Sequence, residues 1–342
     1  MKCGETKILL GKFGDFMGNY FDDKSVFITG ASGLIGSWLV KDLLNKKAQI
    51  TCLVRDFVPN SMFFSEGLDK KVNIVRAELE DLYSIERVIN EYQPEIVIHL
   101  GAQTIVGIAN NSPIGTFNSN IKGTWNLLEA CRLHDKTVKS IVIASSDKAY
   151  GEQKQLPYTE ESPLLATNPY DVSKSCADML AKSYALTYNL PITISRCGNF
   201  FGGGDLNFSR IVPGTIKSAY FEKNPTIRSN GKYVRDYIYV KDAVNAYLTL
   251  AEKTQTLSIN GEAFNFSNEI QLTVLELTAK ILHIMDKGNL KPIIKNEAKN
   301  EILNQHLSSK KAKKILGWES KWKIEDGLKE TIGWYINYFK NR

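Results

Sequence analysis

Residues 25–47 read SVFITGASGLIGSWLVKDLLNKK, and the fold class follows from how this stretch is punctuated. Ser25 to Thr29 is a short apolar run rich in β-favouring residues. SWLVKDLLNKK has the spacing of a helix with one apolar face. Between them, Gly30, Gly33 and Gly36 let the backbone turn tightly and come close to a pyrophosphate, where a Cβ would stand in the way. The amides of Ser32, Gly33, Leu34, Ile35 and Gly36 then open the helix and offer N–H groups and dipole to phosphate oxygens. A lone glycine triplet also suits a plain strand-to-helix turn. The strand before it, the helix after it and a second strand from Gln49 to Val54 favour a dinucleotide.

Working outward, the end of that second strand selects the cofactor. An acidic side chain there reaches a ribose 2′-OH, and an arginine suits a 2′-phosphate. Val54 falls where the acidic residue of an NAD-type site is expected, with Arg55 and then Asp56 following. The cofactor is NAD or NADP, and Arg55 tilts the expectation towards NADP. A third strand, residues 72–77, ends at Glu78 and Leu79, where Glu78 or Asp81 faces an adenine amino group. After the helix SIERVINEYQ comes EIVIHLGAQ, whose small end residues Gly101 and Ala102, with Gln103, allow close approach beneath a cofactor. His99 lies in this apolar strand and reads as a core histidine. A helix over residues 117–134 precedes the next strand. Strand and helix thus alternate through the first 150 residues, which predicts an α/β, Rossmann-type, doubly wound parallel sheet.

The chemistry is expected in Ile141–Lys174, IVIASSDKAYGEQKQLPYTEESPLLATNPYDVSK. IVIA is a buried parallel strand. Ser145, Ser146, Asp147 and Lys148 stand at its carboxyl end, the edge where open α/β sheets bind ligands. Tyr170 and Lys174 lie one helical turn apart if a helix starts at Pro169. An ammonium beside a phenol favours the phenolate, lowers its pKa and makes the tyrosine a usable base.

Composition sets the limits. The chain has 342 residues, 43% hydrophobic and 23% charged, with net charge +6, the profile of a globular protein large enough for two lobes. Cys3, Cys52, Cys131, Cys176 and Cys197 have no C-x-x-C spacing, so neither a disulfide framework nor a metal site is indicated. No stretch has membrane-spanning length and the start has no secretory apolar segment, so a cytoplasmic location is expected. The basic tail with interleaved tryptophans, residues 307–339, reads as helical lobe core (Ile315, Leu316, Trp318, Trp322) with a wet lysine face, not as a nucleic-acid surface.

GASGLIG, HLGAQ, Asn120-x-x-Gly123-Thr124, SSDKAYG, YDVSK and RCGNFFGGGD together resemble the extended short-chain dehydrogenase/reductases, specifically their nucleotide-sugar epimerases and dehydratases. The resemblance spans roughly residues 22–340. It implies Tyr170 as base at the sugar 4-hydroxyl, Lys174 as its electrostatic partner, and Ser146 (or Ser145) as the hydroxyl that orients the sugar. Where common dehydratases of this kind carry Thr-Asp-Glu, this chain carries Ser146-Asp147-Lys148, a departure similar to the CDP-glucose 4,6-dehydratase branch. Asp147 would then protonate the leaving hydroxyl, and Lys148 would act at C5. A 4-epimerase needs neither, because it only oxidises C4 and returns the hydride.

Resemblance also implies substrate contacts from Gln103, Thr104, Ser146, Asn199, Arg210 and Arg235, the last gripping the diphosphate, with Asp242 starting a helix. The expected organisation is an arm at 1–24, a dinucleotide domain at 25–200 plus about 236–262, and a nucleotide-sugar lobe at about 201–235 plus 263–342. The expected cofactor is tightly bound and recycled within each turnover. The expected partners are a nucleotide sugar and a second copy of the chain, packed through the helices that follow Gly123 and Tyr170. The resulting expectation is an NDP-sugar 4,6-dehydratase, with an NDP-sugar 4-epimerase and a non-catalytic NAD(P)-binding regulator as its rivals.

Overall fold

The computed structural model describes residues 19–297 and 302–341. Most of the arm expected at 1–24, and Cys3 with it, lies outside the described residues. The chain alternates through β1 (Ser25–Thr29), α1 (Leu34–Asn45), β2 (Gln49–Leu53), α2 (Met62–Ser65), β3 (Asn73–Val75), α3 (Leu82–Tyr92) and β4 (Ile96–His99). Short helices α4 (Val106–Asn111) and α5 (Pro113–Phe117) lead through a π-helical turn, Asn118–Lys122, into α6 (Gly123–Leu133) and β5 (Ser140–Ala144). Next come α7 (Pro169–Tyr188), β6 (Ile192–Cys197), β7 (Asn199–Phe201), α8 (Ile211–Tyr220) and β8 (Thr226–Ile227). The rest is β9 (Val234–Tyr239), α9 (Val240–Thr256), β10 (Ala263–Phe266), β11 (Gln271–Thr273), α10 (Val274–Ile284), β12 (Ile293–Ile294) and α11 (Ile324–Lys340).

Seven strands form one parallel sheet in the order β10-β6-β5-β4-β1-β2-β3. The order reverses between β1 and β4, and α/β sheets bind ligands at such a switch point. Strands β4, β5 and β6 are buried along their whole length, as a sheet with helices on both faces requires. The predicted doubly wound sheet is therefore present. A second, three-stranded sheet, β11-β9-β7, and the pair β12-β8 lie outside it.

Two expectations about local structure need correction. The segment at 117–134 is not one regular helix: a π-turn interrupts it at Asn120, whose side chain is used on Gln103 rather than on the helix. The tail is not continuously helical either. It runs through a short helical turn, Ala312–Leu316, then extended chain, then α11.

Leu316 and Trp318 are buried as expected, but Ile315 is 41% exposed. The buried tail residues join the large core beneath the main sheet rather than forming a core of their own, and Trp318 packs edge-on against Phe266 of β10 at 4.9 Å. Asp242 lies in the first turn of α9, and its carboxylate also accepts from Ser320 Oγ and the amides of Lys321 and Trp322 at 2.6–3.1 Å. That carboxylate pins the extended tail segment to the helix. Among the described residues no helix is long and apolar enough to cross a membrane.

Candidate active site

Above the carboxyl ends of β1, β4 and β5 lies a cleft of about 330 Å³. Its floor is the glycine turn. Gly30 has φ +75°, and a Cβ there would stand 2.7 Å from the Gly101 nitrogen; a Cβ on Gly36 would stand 2.1 Å from the Gly30 carbonyl oxygen. Only hydrogen fits at either position. Helix α1 starts without a side-chain cap on Gly33, so its first-turn amides have no partner within the helix and open towards an anion. Leu53, Val54, Val58, Ala77, Leu79 and Leu100 line the apolar side, where a flat base fits. A dinucleotide suits this cradle.

The polar frame under the cleft runs through His99. Thr29 Oγ1 accepts from the Gly101 amide at 3.0 Å and meets His99 Nδ1 at 2.7 Å, so its own proton goes to that nitrogen. Thr124 Oγ1 donates to the Asn120 carbonyl at 2.6 Å and therefore accepts from His99 Nε2–H at 3.2 Å. Each proton has one place to go, and the histidine is neutral. Burial, followed by the charge of Lys174, pushes its pKa down to about 3. Asn120 continues the frame: it accepts from the Gln103 amide at 2.7 Å and donates to the Gln103 carbonyl and Ser173 Oγ. The core reading of His99 is correct, and the Asn-x-x-Gly-Thr residues support it from below.

Tyr170 and Lys174 both line the cleft, brought there because α7 begins at Pro169 with Pro pre-set for a first helical turn. The expected pairing of phenol and ammonium is not what the charges show. Burial, then the charge of Asp147, pushes the Tyr170 phenol above its usual range, while Arg210 and a hydrogen bond with Ser146 pull it down. Lys174 Nζ donates to the Ala144 carbonyl at 2.7 Å, and burial lowers its pKa to about 8. Desolvation outweighs attraction here, as it does for buried ions generally.

Beyond β5 the chain makes a 3-10 turn, Asp147–Tyr150. Ser146 Oγ donates to Asp147 Oδ1 at 3.0 Å and accepts from the Lys148 amide. Asp147 is buried with Oδ2 unpartnered. Burial raises its pKa against the pull of Lys148, Ser146 and Arg235. The turn is held at its far end by Tyr150, whose hydroxyl donates to Asn265 Oδ1 and accepts from Arg196 Nη1. Arg196 forms a two-pronged buried pair with Asp178 at 2.7 and 2.8 Å, so β6, α7 and β10 all fix the turn.

The structure brings most of the expected residues together, but not all. Gly30, Ser32, Gly33, Leu34, Ile35, Gly36, Arg55, Asp56, Leu79, Gly101, Ala102, Gln103, Thr104 and Arg210 line the cleft with Tyr170 and Lys174. Glu78 does not: it is exposed, and Glu80, which accepts from Ser119 Oγ, lines the cleft instead. Asp81 caps α3 by accepting from the Ser84 amide. Ser145, not Ser146, lines the cleft, and its buried hydroxyl has no partner. Asp147, Lys148, Asn199 and Arg235 lie outside the lining.

Arg235 is buried, donating to the carbonyls of Val234 and Leu303, and its charge acts on Asp147. Arg55 and Asp56 form an exposed ion pair with each other at 2.8 Å. Sequence reasoning missed Val58, Glu80, Ser119, Phe200 and Tyr247. Of these only Phe200, next to Asn199, carried a local signal.

Fold and site together define an extended short-chain dehydrogenase/reductase of the kind that dehydrates or epimerises nucleotide-linked sugars and uses NAD or NADP. The chain belongs to the GDP-mannose 4,6 dehydratase family, whose match covers residues 27–331. It is 28% identical to CDP-glucose 4,6-dehydratase of Salmonella typhimurium, over 94% of this chain and 92% of that one. It is 26% identical to dTDP-glucose 4,6-dehydratase of Haemophilus influenzae, over 91% and 98%. Among solved structures, UDP-glucose 4-epimerase of Thermotoga maritima superposes with TM-score 0.83 at 28% identity, covering 92% and 99%. dTDP-glucose 4,6-dehydratase of Bacillus anthracis, in complex with NAD, superposes with TM-score 0.80 at 26% identity, covering 92% and 97%. Relatives on both sides of the dehydratase and epimerase divide thus share the architecture.

Proposed function

We propose that the protein is an NDP-sugar 4,6-dehydratase, a hydro-lyase that converts an NDP-hexose to an NDP-4-keto-6-deoxyhexose and water. The observation that carries this reading is Asp147: a buried carboxyl, raised in pKa and electrostatically coupled to Tyr170. A 4-epimerase has no use for a second acid, whereas loss of the 6-hydroxyl as water requires one.

When bound, the nicotinamide cofactor supplies the oxidising power at C4 and the reducing power at C6. Tyr170, in the phenolate form that Arg210 and Ser146 favour, takes the proton of the 4-hydroxyl, and Ser145 and Ser146 orient that oxygen. With C4 a ketone, the C5 proton becomes acidic, and Lys148 serves that position by taking the proton or holding the enolate oxygen. Asp147 gives its proton to the departing O6, which leaves as water. The proton that Tyr170 removed balances the one that Asp147 donated, and C5 is reprotonated as C6 is reduced.

Arg55 favours the 2′-phosphate of NADP, and Asp56, held beside it, supports use of NAD as well. CDP-glucose is the first substrate to test, on the Ser-Asp-Lys turn and the similarity to the Salmonella enzyme. A second copy of the chain is expected on the outer faces of α6 and α7, where Trp125, Met179 and Leu186 are exposed at 42–66%.

The test is incubation with CDP-, dTDP-, UDP- and GDP-hexoses, each with NAD or NADP, in deuterated water. NMR should show a 4-keto-6-deoxy product carrying solvent deuterium at C5. An epimer with no deuterium at C5 would overturn the reading.

A further inference from the structure

Gln305 was not singled out by any motif. It is fully buried, on a segment clamped from both sides. Its amide donates to the Val234 carbonyl and the Val234 amide donates to Leu303. On the other side the Tyr158 amide donates to His306 and the Ser308 amide to Tyr158. Leu307 N–H donates to Asp236 Oδ2 at 3.1 Å. Residues 303–308 thus bridge β9 to the loop that follows the Asp147–Tyr150 turn, and their position leaves little freedom to the side chain between.

That side chain makes one hydrogen bond: Gln305 Oε1 accepts from Lys148 Nζ at 3.1 Å, 157 residues away in sequence. Its Nε2 is buried without a partner. A buried amide using half its capacity costs stability, and a leucine or methionine of similar volume would pack there without that cost. Lysine is a flexible four-carbon stem with a compact charge. The carboxylates that Lys148 attracts are those of Asp147, whose Oδ2 is unpartnered, and Asp171. No ion pair within 4.0 Å joins Lys148 to Asp147 among the described residues; the ammonium is turned to Gln305.

We infer that Gln305 is a positioning residue that holds Lys148 away from Asp147, so that the lysine and the acid act separately. If the ammonium closed on Asp147, the ion pair would favour the carboxylate over the acid and withdraw the lysine from the sugar. One step would then lose both its proton donor and its C5 group. The inference rests on the 4,6-dehydratase reading for the work Lys148 does, but the geometry of the pair can be judged without turnover.

The experiment compares wild type, Gln305→Met, Gln305→Glu and the double variant Gln305→Met/Asp147→Asn. Acetylation of Lys148 by an N-hydroxysuccinimide ester, followed by peptide mass spectrometry, reports the ammonium's partner. Gln305→Met should acetylate Lys148 several-fold more slowly than wild type, with Lys182 unchanged as the control, and the double variant should recover the wild-type rate. Gln305→Glu, which puts a carboxylate against the ammonium, should also slow acetylation, because an ion pair at that position stabilises the charged amine. In turnover, Gln305→Met should lose about 10- to 100-fold in kcat with KM within about threefold and no fall in Tm.

Lys148 labelling at the wild-type rate in Gln305→Met would overturn the inference. So would a loss of Tm with kcat and KM changing together, the mark of a merely structural residue. Failure of wild type to make any 4-keto sugar would sink the dehydratase reading instead, while the labelling would still decide whether Gln305 holds Lys148.

Discussion

Lys174 Nζ donates to the main-chain carbonyl of Ala144 at 2.7 Å, tying α7 to the carboxyl end of β5 where the reacting groups converge. Burial and then Asp147 raise the Tyr170 phenol beside it, while Arg210 and a hydrogen bond with Ser146 lower it.

Removing the Tyr170 hydroxyl takes away the proposed base with little change in shape. Tyr170→Phe should lower kcat by about 10²- to 10⁴-fold while the affinity for NAD(P) stays near the wild-type value. Steady-state kinetics and cofactor titration measure the two, and retention of more than about a tenth of the activity would exclude Tyr170 from the chemistry.

Arg210 lowers the phenol, so its loss should move the rising limb of activity to higher pH. Its Nη1 pairs with Asp205 at 3.0 Å and its Nη2 reaches Thr104 at 3.4 Å. Arg210→Met should shift the rising limb of the kcat/KM pH profile to higher pH, with about a tenfold loss at neutral pH if the shift is one unit. An unchanged limb would show that the guanidinium does not act on Tyr170.

His99 ties stability to acid. Its folded pKa of about 3 lies below the ordinary 6.5, so between these values the unfolded chain binds the extra proton and stability falls as pH drops. The loss due to this residue between pH 7 and pH 4.5 is about 2.5 kcal/mol. Asp236, raised to about 7 by burial, works the other way, because the folded state holds its proton and gains as pH falls. Urea midpoints for wild type and His99→Asn across this range, taken as a difference, should therefore isolate a slope that the variant lacks.

Gly36 is tested by one methyl. With a Cβ 2.1 Å from the Gly30 carbonyl, Gly36→Ala must push β1 and α1 apart. A loss of about 2–3 kcal/mol in urea unfolding, together with loss of NAD(P) binding, is expected. Wild-type affinity in this variant would mean that the turn does not cradle a dinucleotide.

The outer face of α7 is expected to meet its copy. Met179→Lys with Leu186→Glu places charge at two sites that are 56% and 66% exposed. Light scattering should then report a monomer where wild type is a dimer. A wild-type monomer would dispose of that expectation.

Local patterning made the parallel sheet legible. The strands β1, β4 and β5 are largely apolar, α7 starts at a recognisable Pro169, and glycine at 30 and 36 is demanded by backbone approach alone. The same logic placed Tyr170 and Lys174 one turn apart and made His99 a core residue, because period and burial are written in neighbouring residues.

What only the tertiary structure decided are relations between residues far apart in the chain. Glu80 rather than Glu78 lines the cleft, since the strand ends at Val75 and the chain turns before α3. Arg235 is buried where β9 pairs with β7 and β11, a burial its own neighbours in sequence do not announce. Lys174 answers to Ala144, and Lys148 to Gln305 across 157 residues. Desolvation, the largest cause of the shifts at His99, Asp147, Tyr170 and Lys174, depends on the whole fold closing over a group, and no run of neighbouring residues encodes that.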